Sequence, residues 1–258
     1  MNGGAAEFLR ADPAPALVLS AGGMFGAWQA GAWSVLAPRF RPSAVIGCSV
    51  GALNGWAIAG GSSPEELAAS WLHKGIAKTI RLRVPWPPWG GVFDPRMLEE
   101  MVREMFARYK PRVPFAATLT ELPRLRPVLA RDTDMTWRHL MASCSIPLGF
   151  PPVRIGGRLY VDGGLLGALP LWACAEMGIS RAVALDALPL MPSRLVRGFV
   201  KAVRAAAPDR RNGRPAALLR LAPDTPLGSA RDALLWKEQR ARSWFAQGAR
   251  ETRRALAG

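Results

Sequence analysis

Histidine is nearly absent from this chain: its 258 residues include only His73 and His139. No histidine follows Asp162, so the usual hydrolase order of serine, acid and then histidine is not completed after that acid. Cysteine is scarce too, and Cys48, Cys144 and Cys174 are an odd number with no C-x-x-C spacing. That pattern argues against a disulfide framework and a zinc site, and predicts free thiols. No long apolar run occurs. The stretch from Ala44 to Gly61 carries five glycines, an asparagine and a serine, far from the ~20 apolar residues of a membrane span. The first residues, "MNGGAAEFLRADPAPA", lack a basic head and an apolar run, so no secretory signal is expected and the cytoplasm is the expected location. G-K-[ST], G-x-G-x-x-G, zinc-finger and RNP patterns are missing as well, which sets nucleotide and specific nucleic-acid binding aside.

What the chain has is core and positive charge. Half of its residues are hydrophobic, enough for one large domain, read here as residues 16–258 after an extension at 1–15. The formal charge is +15, and from Arg194 onward fifteen Lys/Arg face five Asp/Glu. That region, about 194–258, is read as a basic, helical C-terminal part. Its surplus suits either a solvated arginine-rich surface or an anionic membrane surface, the latter making the protein peripherally membrane-associated.

Apolar runs and helical spacing alternate along the chain. "ALVLS" (16–20) and "SAVIG" (43–47) read as parallel strands joined by the helix "AWQAGAWSVLA", and a second small-residue helix follows at "VGALNGWAIAG". Ser63, Pro64 and Glu66 form a capping box with proline at the first helical position. "PFAATLTEL" and "LRPVLARDT" read as neighbouring strands, "TWRHLMASCSI" as a short helix, "PVRIGGRLYVDGG" as two strands around a Gly-Gly turn, and "RAVALDA" as a buried strand. A Pro/Arg-rich link near 208–215 precedes one final helical segment from Ala230. The loop "VPWPPWGG" carries Trp86 and Trp89, suited to packing on the domain or to anchoring at an interface.

The chemistry centres on "IGCSVGALNG" (46–55). Ser49 stands between Gly47 and Gly51 at a strand-to-helix turn, where flanking glycines relieve crowding and the hydroxyl sits at a helix N-terminus. The loop "AGGMFG" after the first strand can offer the Gly22 and Gly23 amides to an oxyanion. His139 lies within a helix among charges and reads as a structural residue, so the base is sought among carboxylates. Asp162 in "YVDGG" ends a strand before two glycines, and apolar surroundings would raise its pKa into a useful range for proton transfer.

In order, "SAGGMFGAWQAG", "GCSVGALN", "ASCSIPLGFPPV" and "YVDGG" followed by Pro170 resemble the patatin-like phospholipases from about Ala16 to Ala187. The resemblance implies a three-layer α/β sandwich with a mainly parallel central sheet flanked by helices. It implies a Ser49–Asp162 dyad, an oxyanion hole at Gly22 and Gly23, and hydrolysis of acyl esters, often of membrane lipids, without metal or organic cofactor. Two positions depart from the family pattern: Phe25 stands where a basic residue is usual, and no asparagine occurs at Gly167 or Ala168. The Phe25 departure bears on how firmly the oxyanion loop is held. The expected function is a lipid acyl hydrolase of phospholipase A type. An acyltransferase using the same serine, a catalytically weak lipid-binding relative and a nucleic-acid binder are the competing readings.

Overall fold

The computed structural model describes residues 4–78, 80–85, 90–189, 194–208, 211 and 213–257. Trp86 and Trp89 lie outside the described residues.

Five parallel strands form the middle of the sheet and its far edge. β1 (Ala16–Leu19) pairs on one side with β2 (Val45–Cys48) and on the other with β7 (Arg181–Leu185), which pairs with β8 (Ala217–Leu221). β2 also runs parallel to β3 (Phe115–Leu122). Three antiparallel strands complete the sheet around β3: β4 (Arg126–Arg131), β6 (Arg158–Asp162) and, beyond β6, β5 (Val153–Ile155). The β5–β6 hairpin turns through Gly156 and Gly157, both at positive φ, as the Gly-Gly pair predicts.

Strand alternation divides the core into two layers. Leu17, Leu19 and Val45 face the larger side, occupied by α2 (Gly26–Leu36), α3 (Val50–Ala59) and α10 (Glu238–Ala257). Val18 and Ile46 face the other side, where Ala173 and Cys174 of α7 (Trp172–Glu176) pack. The sheet is thus covered on both faces, which is why its central strands are apolar without alternation. The three-layer α/β arrangement expected from the sequence is the one found.

α10 approaches α2 closely because both carry glycine at the contact. A Cβ on Gly31 would strike the Phe245 carbonyl, and one on Gly248 the Trp28 carbonyl. α4 (Pro64–Leu72) starts at the expected capping box, with Ser63 Oγ accepting from the Glu66 N–H at 3.1 Å and Glu66 Oε2 accepting from the Ser63 N–H at 3.1 Å. Two features differ from the sequence reading. The final helical segment is two helices, α9 (Ala230–Leu234) and α10, broken at residues 235–237, and the basic region, read as helical, holds the edge strand β8 after its first helix α8 (Arg194–Ala206).

Candidate active site

The ends of β2 and β6 meet because they share one edge of β3. Residues 116–121 of β3 pair with β4 on one side. On the other side, β2 pairs up to Cys48 opposite Thr118, and β6 takes over with Asp162 opposite Leu119. Asp162 therefore enters the sheet where β2 leaves it, beside the turn at Ser49. Residues more than a hundred positions apart are brought together by strand register alone.

Ser49 adopts φ 55° and ψ −128°, a left-handed conformation that a non-glycine residue enters only at a cost of about 1–3 kcal/mol. The surroundings hold it there. Its N–H donates to Ser143 Oγ at 2.9 Å, and the Ser143 hydroxyl donates to the Thr118 carbonyl at 3.0 Å. Its carbonyl accepts from the Ala52 N–H at 2.8 Å, starting α3. The flanking glycines are sterically required. A Cβ on Gly51 would stand 2.5 Å from the Leu19 and Ser20 carbonyl oxygens, and one on Gly47 would run into the Gly51 carbonyl.

Asp162 is fixed through its backbone and one carboxylate oxygen. Its N–H donates to the Ser145 carbonyl at 3.0 Å, and its own carbonyl accepts from Thr120 Oγ1 at 3.1 Å. Oδ1 accepts from the Gly164 N–H at 2.7 Å and faces the Cys48 thiol at 3.8 Å. Burial lifts the carboxyl pKa from 3.8 to about 6, against the opposing pull of the Ser49 hydroxyl, the Gly164 amide and the Cys48 thiol. Burial, then the Asp162 charge, pushes the Cys48 thiol well above its ordinary range, so it stays protonated as a donor.

The glycine-rich loop closes the third side. Gly22 lies against Val50, the residue after Ser49, while Ala21 lies against Gly164. Among the described residues, the amides of Gly22 and Gly23 donate to no carbonyl or side chain, which leaves both hydrogens available. Beneath the loop runs a buried polar ladder that composition and motif do not reveal. Gln29 Nε2 donates to the Ser20 carbonyl at 2.8 Å, Asn54 Nδ2 donates to the Gly26 carbonyl and to Gln29 Oε1, each at 3.1 Å, and Trp71 Nε1 donates to Asn54 Oδ1 at 2.9 Å. The available signal was a single amide side chain in each of two largely apolar helices. Ser143 and Ser145, which hold the elbow and Asp162, sit in the motif "ASCSIP" without a role assigned by sequence.

The remaining residues singled out by sequence fall elsewhere. His139 Nδ1 accepts the Thr136 N–H at 3.0 Å, capping α6 (Trp137–Ser143), and burial lowers its pKa. Phe25 is buried, edge-on to Trp244 at 5.1 Å. Two surface clefts of about 300 and 260 Å³ are lined by residues such as Arg126 and Glu176, or Glu99 and Trp137, and neither is lined by Ser49 or Asp162. Among the described residues no cluster of three His, Cys, Asp or Glu is arranged to hold a metal ion.

A family model described as patatin-like phospholipase matches residues 17–175, a span that includes Ser49, Asp162 and the glycine-rich loop. An uncharacterized NTE family protein of Mycobacterium tuberculosis is 28% identical over 190 residues, covering 71% of this chain and 52% of the relative. A protein of the same description from Mycobacterium bovis matches equally. The chain spans about half the length of the curated relatives it matches. Among solved structures, VipD from Legionella pneumophila is similar with a TM-score of 0.54 at 14% identity, over 94% of this chain and 66% of that one, a likeness of fold. The type III effector protein ExoU gives 0.43 at 14% identity, over 94% and 53%.

Proposed function

This chain belongs to the patatin-like phospholipase family, and on that premise we propose that it is a serine acyl-ester hydrolase of lipids working through a Ser49–Asp162 dyad. The observation that carries the reading is the strained Ser49 elbow set beside a buried carboxylate whose Oδ1 is already occupied by Gly164 and Cys48. Oδ2 is then the oxygen left to take the serine proton.

Ser49 Oγ attacks the ester carbonyl as Asp162 accepts its proton. The oxyanion forms against the free Gly22 and Gly23 amides, where preorganised donors are worth about 3–4 kcal/mol each. Asp162 returns the proton to the departing alcohol, leaving an acyl-serine. Water then attacks the acyl carbon with Asp162 again as base, and Asp162 returns that proton to Ser49 Oγ as the acyl–serine bond breaks and the fatty acid leaves. A carboxylate of pKa about 6 is ionised near neutral pH yet basic enough to share the proton.

The test is fluorophosphonate labelling together with ester and phospholipid hydrolysis by three variants. Ser49→Ala should neither label nor turn over, Asp162→Asn should lose nearly all turnover, and His139→Ala should keep most of it. His139→Ala as inactive as Ser49→Ala, with the fold intact, would transfer the base role to histidine.

A further inference from the structure

We propose that the surface adjoining the Asp162 turn docks on an anionic phospholipid bilayer, through an aliphatic ridge of Leu82, Val84 and Leu148 and the cationic face of α8. The proposal rests on the lipid-hydrolase reading, because it names the surface from which the substrate is taken.

The ridge is built by backbone pairing between two distant segments. The Arg83 N–H donates to the Val92 carbonyl at 2.8 Å, and the Val92 N–H to the Leu148 carbonyl at 3.0 Å. This draws together Leu82, Val84 and Leu148, which are 82%, 91% and 70% exposed. Leu82 and Val84 alternate with Arg81 and Arg83, so in an extended segment the aliphatic pair shares one side. The Arg83 guanidinium folds back on the Gly90 and Gly91 carbonyls. One exposed leucine needs no explanation, whereas three large aliphatics gathered on a tied ribbon form an interaction surface.

The charge around these groups selects the occupant. Between Lys74 and Phe93 the sequence has four Lys/Arg and no Asp or Glu. α8 is likewise free of acidic residues, and its Arg197, Lys201 and Arg204 are exposed along one face at helical spacing. None of the three makes an ion pair among the described residues, whereas Arg220, Arg240, Arg242 and Arg254 of the same basic region each hold a carboxylate. Phe199 stands half exposed on the same helix. Unpaired cations beside exposed apolar groups suit the interface of an anionic membrane.

α8 adjoins the Asp162 turn in space, and the ridge is joined to it along the chain. α8 packs on the turn Gly163–Leu165 immediately after Asp162. Leu148 lies three residues beyond Ser145, whose carbonyl holds the Asp162 N–H. A bilayer seated here delivers its ester bonds next to Ser49.

The experiment measures binding of the full chain carrying Ser49→Ala to vesicles of phosphatidylcholine, with and without phosphatidylglycerol, so that turnover does not consume the target. The parent should bind the anionic vesicles and weaken with salt. Leu82→Ser/Val84→Ser/Leu148→Ser should lower binding by at least about 10-fold, and Arg197→Gln/Lys201→Gln/Arg204→Gln by about 100-fold. The same triple variants with Ser49 restored should keep their melting temperature and their hydrolysis of a soluble short-chain ester. Parent-like binding by either folded triple variant, or no binding by the parent, overturns the proposal. So does a dimer that the aliphatic variant converts to monomer, which would make the ridge an interface between copies. Binding is scored apart from turnover: a chain that binds as expected but hydrolyses no ester removes the hydrolase reading and leaves the docking face in place.

Discussion

The Cys48 thiol faces Asp162 Oδ1 across 3.8 Å, from the residue immediately before the elbow serine. One strand end thus supplies both the candidate nucleophile and a donor to its candidate base. The Gly164 N–H donates to the same oxygen at 2.7 Å, so both contacts fall on Oδ1. The thiol also tempers the effect of burial, since a donor to the charged form lowers a carboxyl pKa.

Activity should therefore fall on the acid side with an apparent pKa near 6, where Asp162 takes up its proton. Removing a donor that favours the ionised form should move that limb to higher pH in Cys48→Ala, while Cys48→Ser, which keeps a donor, should stay close to the parent. The pH dependence of kcat/KM decides it. An acid limb unmoved in Cys48→Ala would mean that the thiol does not tune the base.

Stability carries the opposite sign. A carboxyl whose pKa rises from 3.8 to about 6 on folding contributes its full stabilisation below pH about 4, and that contribution is lost as pH rises through 6. By pH 8 the ionised carboxylate costs about 3 kcal/mol relative to its protonated form. Asp162→Asn should then be more stable than the parent at pH 8 in urea denaturation, with the difference shrinking toward pH 4. A constant difference across that range would contradict the buried-carboxylate account.

Ser143 is a positioning residue for the elbow. Ser143→Ala leaves the Ser49 N–H and the Thr118 carbonyl without their shared partner, in a place closed to water. The expected costs are about 1–3 kcal/mol of stability and a fall in kcat of about 10-fold with KM little changed, the cost of an elbow held less firmly. Parent-like kcat in a folded Ser143→Ala protein would show that α3 and the two glycines hold Ser49 unaided.

The elbow and the loop were legible because their constraints are local: Gly47 and Gly51 are demanded by carbonyls within the same two strand-to-helix units, and those demands are written in adjacent letters. Asp162 was legible through its short motif, but its meeting with Ser49 depends on β2 and β6 sharing an edge of β3, which no local pattern encodes. The Gln29–Asn54–Trp71 ladder joins three helices and is invisible one helix at a time. Residues 194–206 carry a helical signal, apolar at Leu195, Val196, Phe199, Val200 and Val203, whereas the edge strand β8 lies inside a region whose charge and helical spacing gave no strand signal. The break at 235–237 interrupts a pattern that stays helical on both sides, so only packing determines where the chain turns.

Phe25 occupies the position where a basic residue is usual in the family, and the fold shows what holds the loop in its place. The ring is 1% exposed and meets Trp244 at an interplanar angle of 84°, an edge-to-face contact worth about 0.5–1.5 kcal/mol beyond its burial. Trp244 is itself held by its N–H on the Leu227 carbonyl at 2.9 Å. It belongs to α10, outside the span of the family match, so a C-terminal helix clamps the glycine-rich loop through an aromatic pair. Phe25→Arg should bury a charge beside that indole, cost at least about 3 kcal/mol and lower the melting temperature together with activity. Phe25→Leu should keep the fold with a smaller loss, and Trp244→Ala should reduce kcat by freeing the loop that carries Gly22 and Gly23. The comparison is thermal melting alongside ester turnover for the three variants. A folded Phe25→Arg protein with higher turnover than the parent would mean that the missing cation, and not the aromatic clamp, governs the glycine-rich loop.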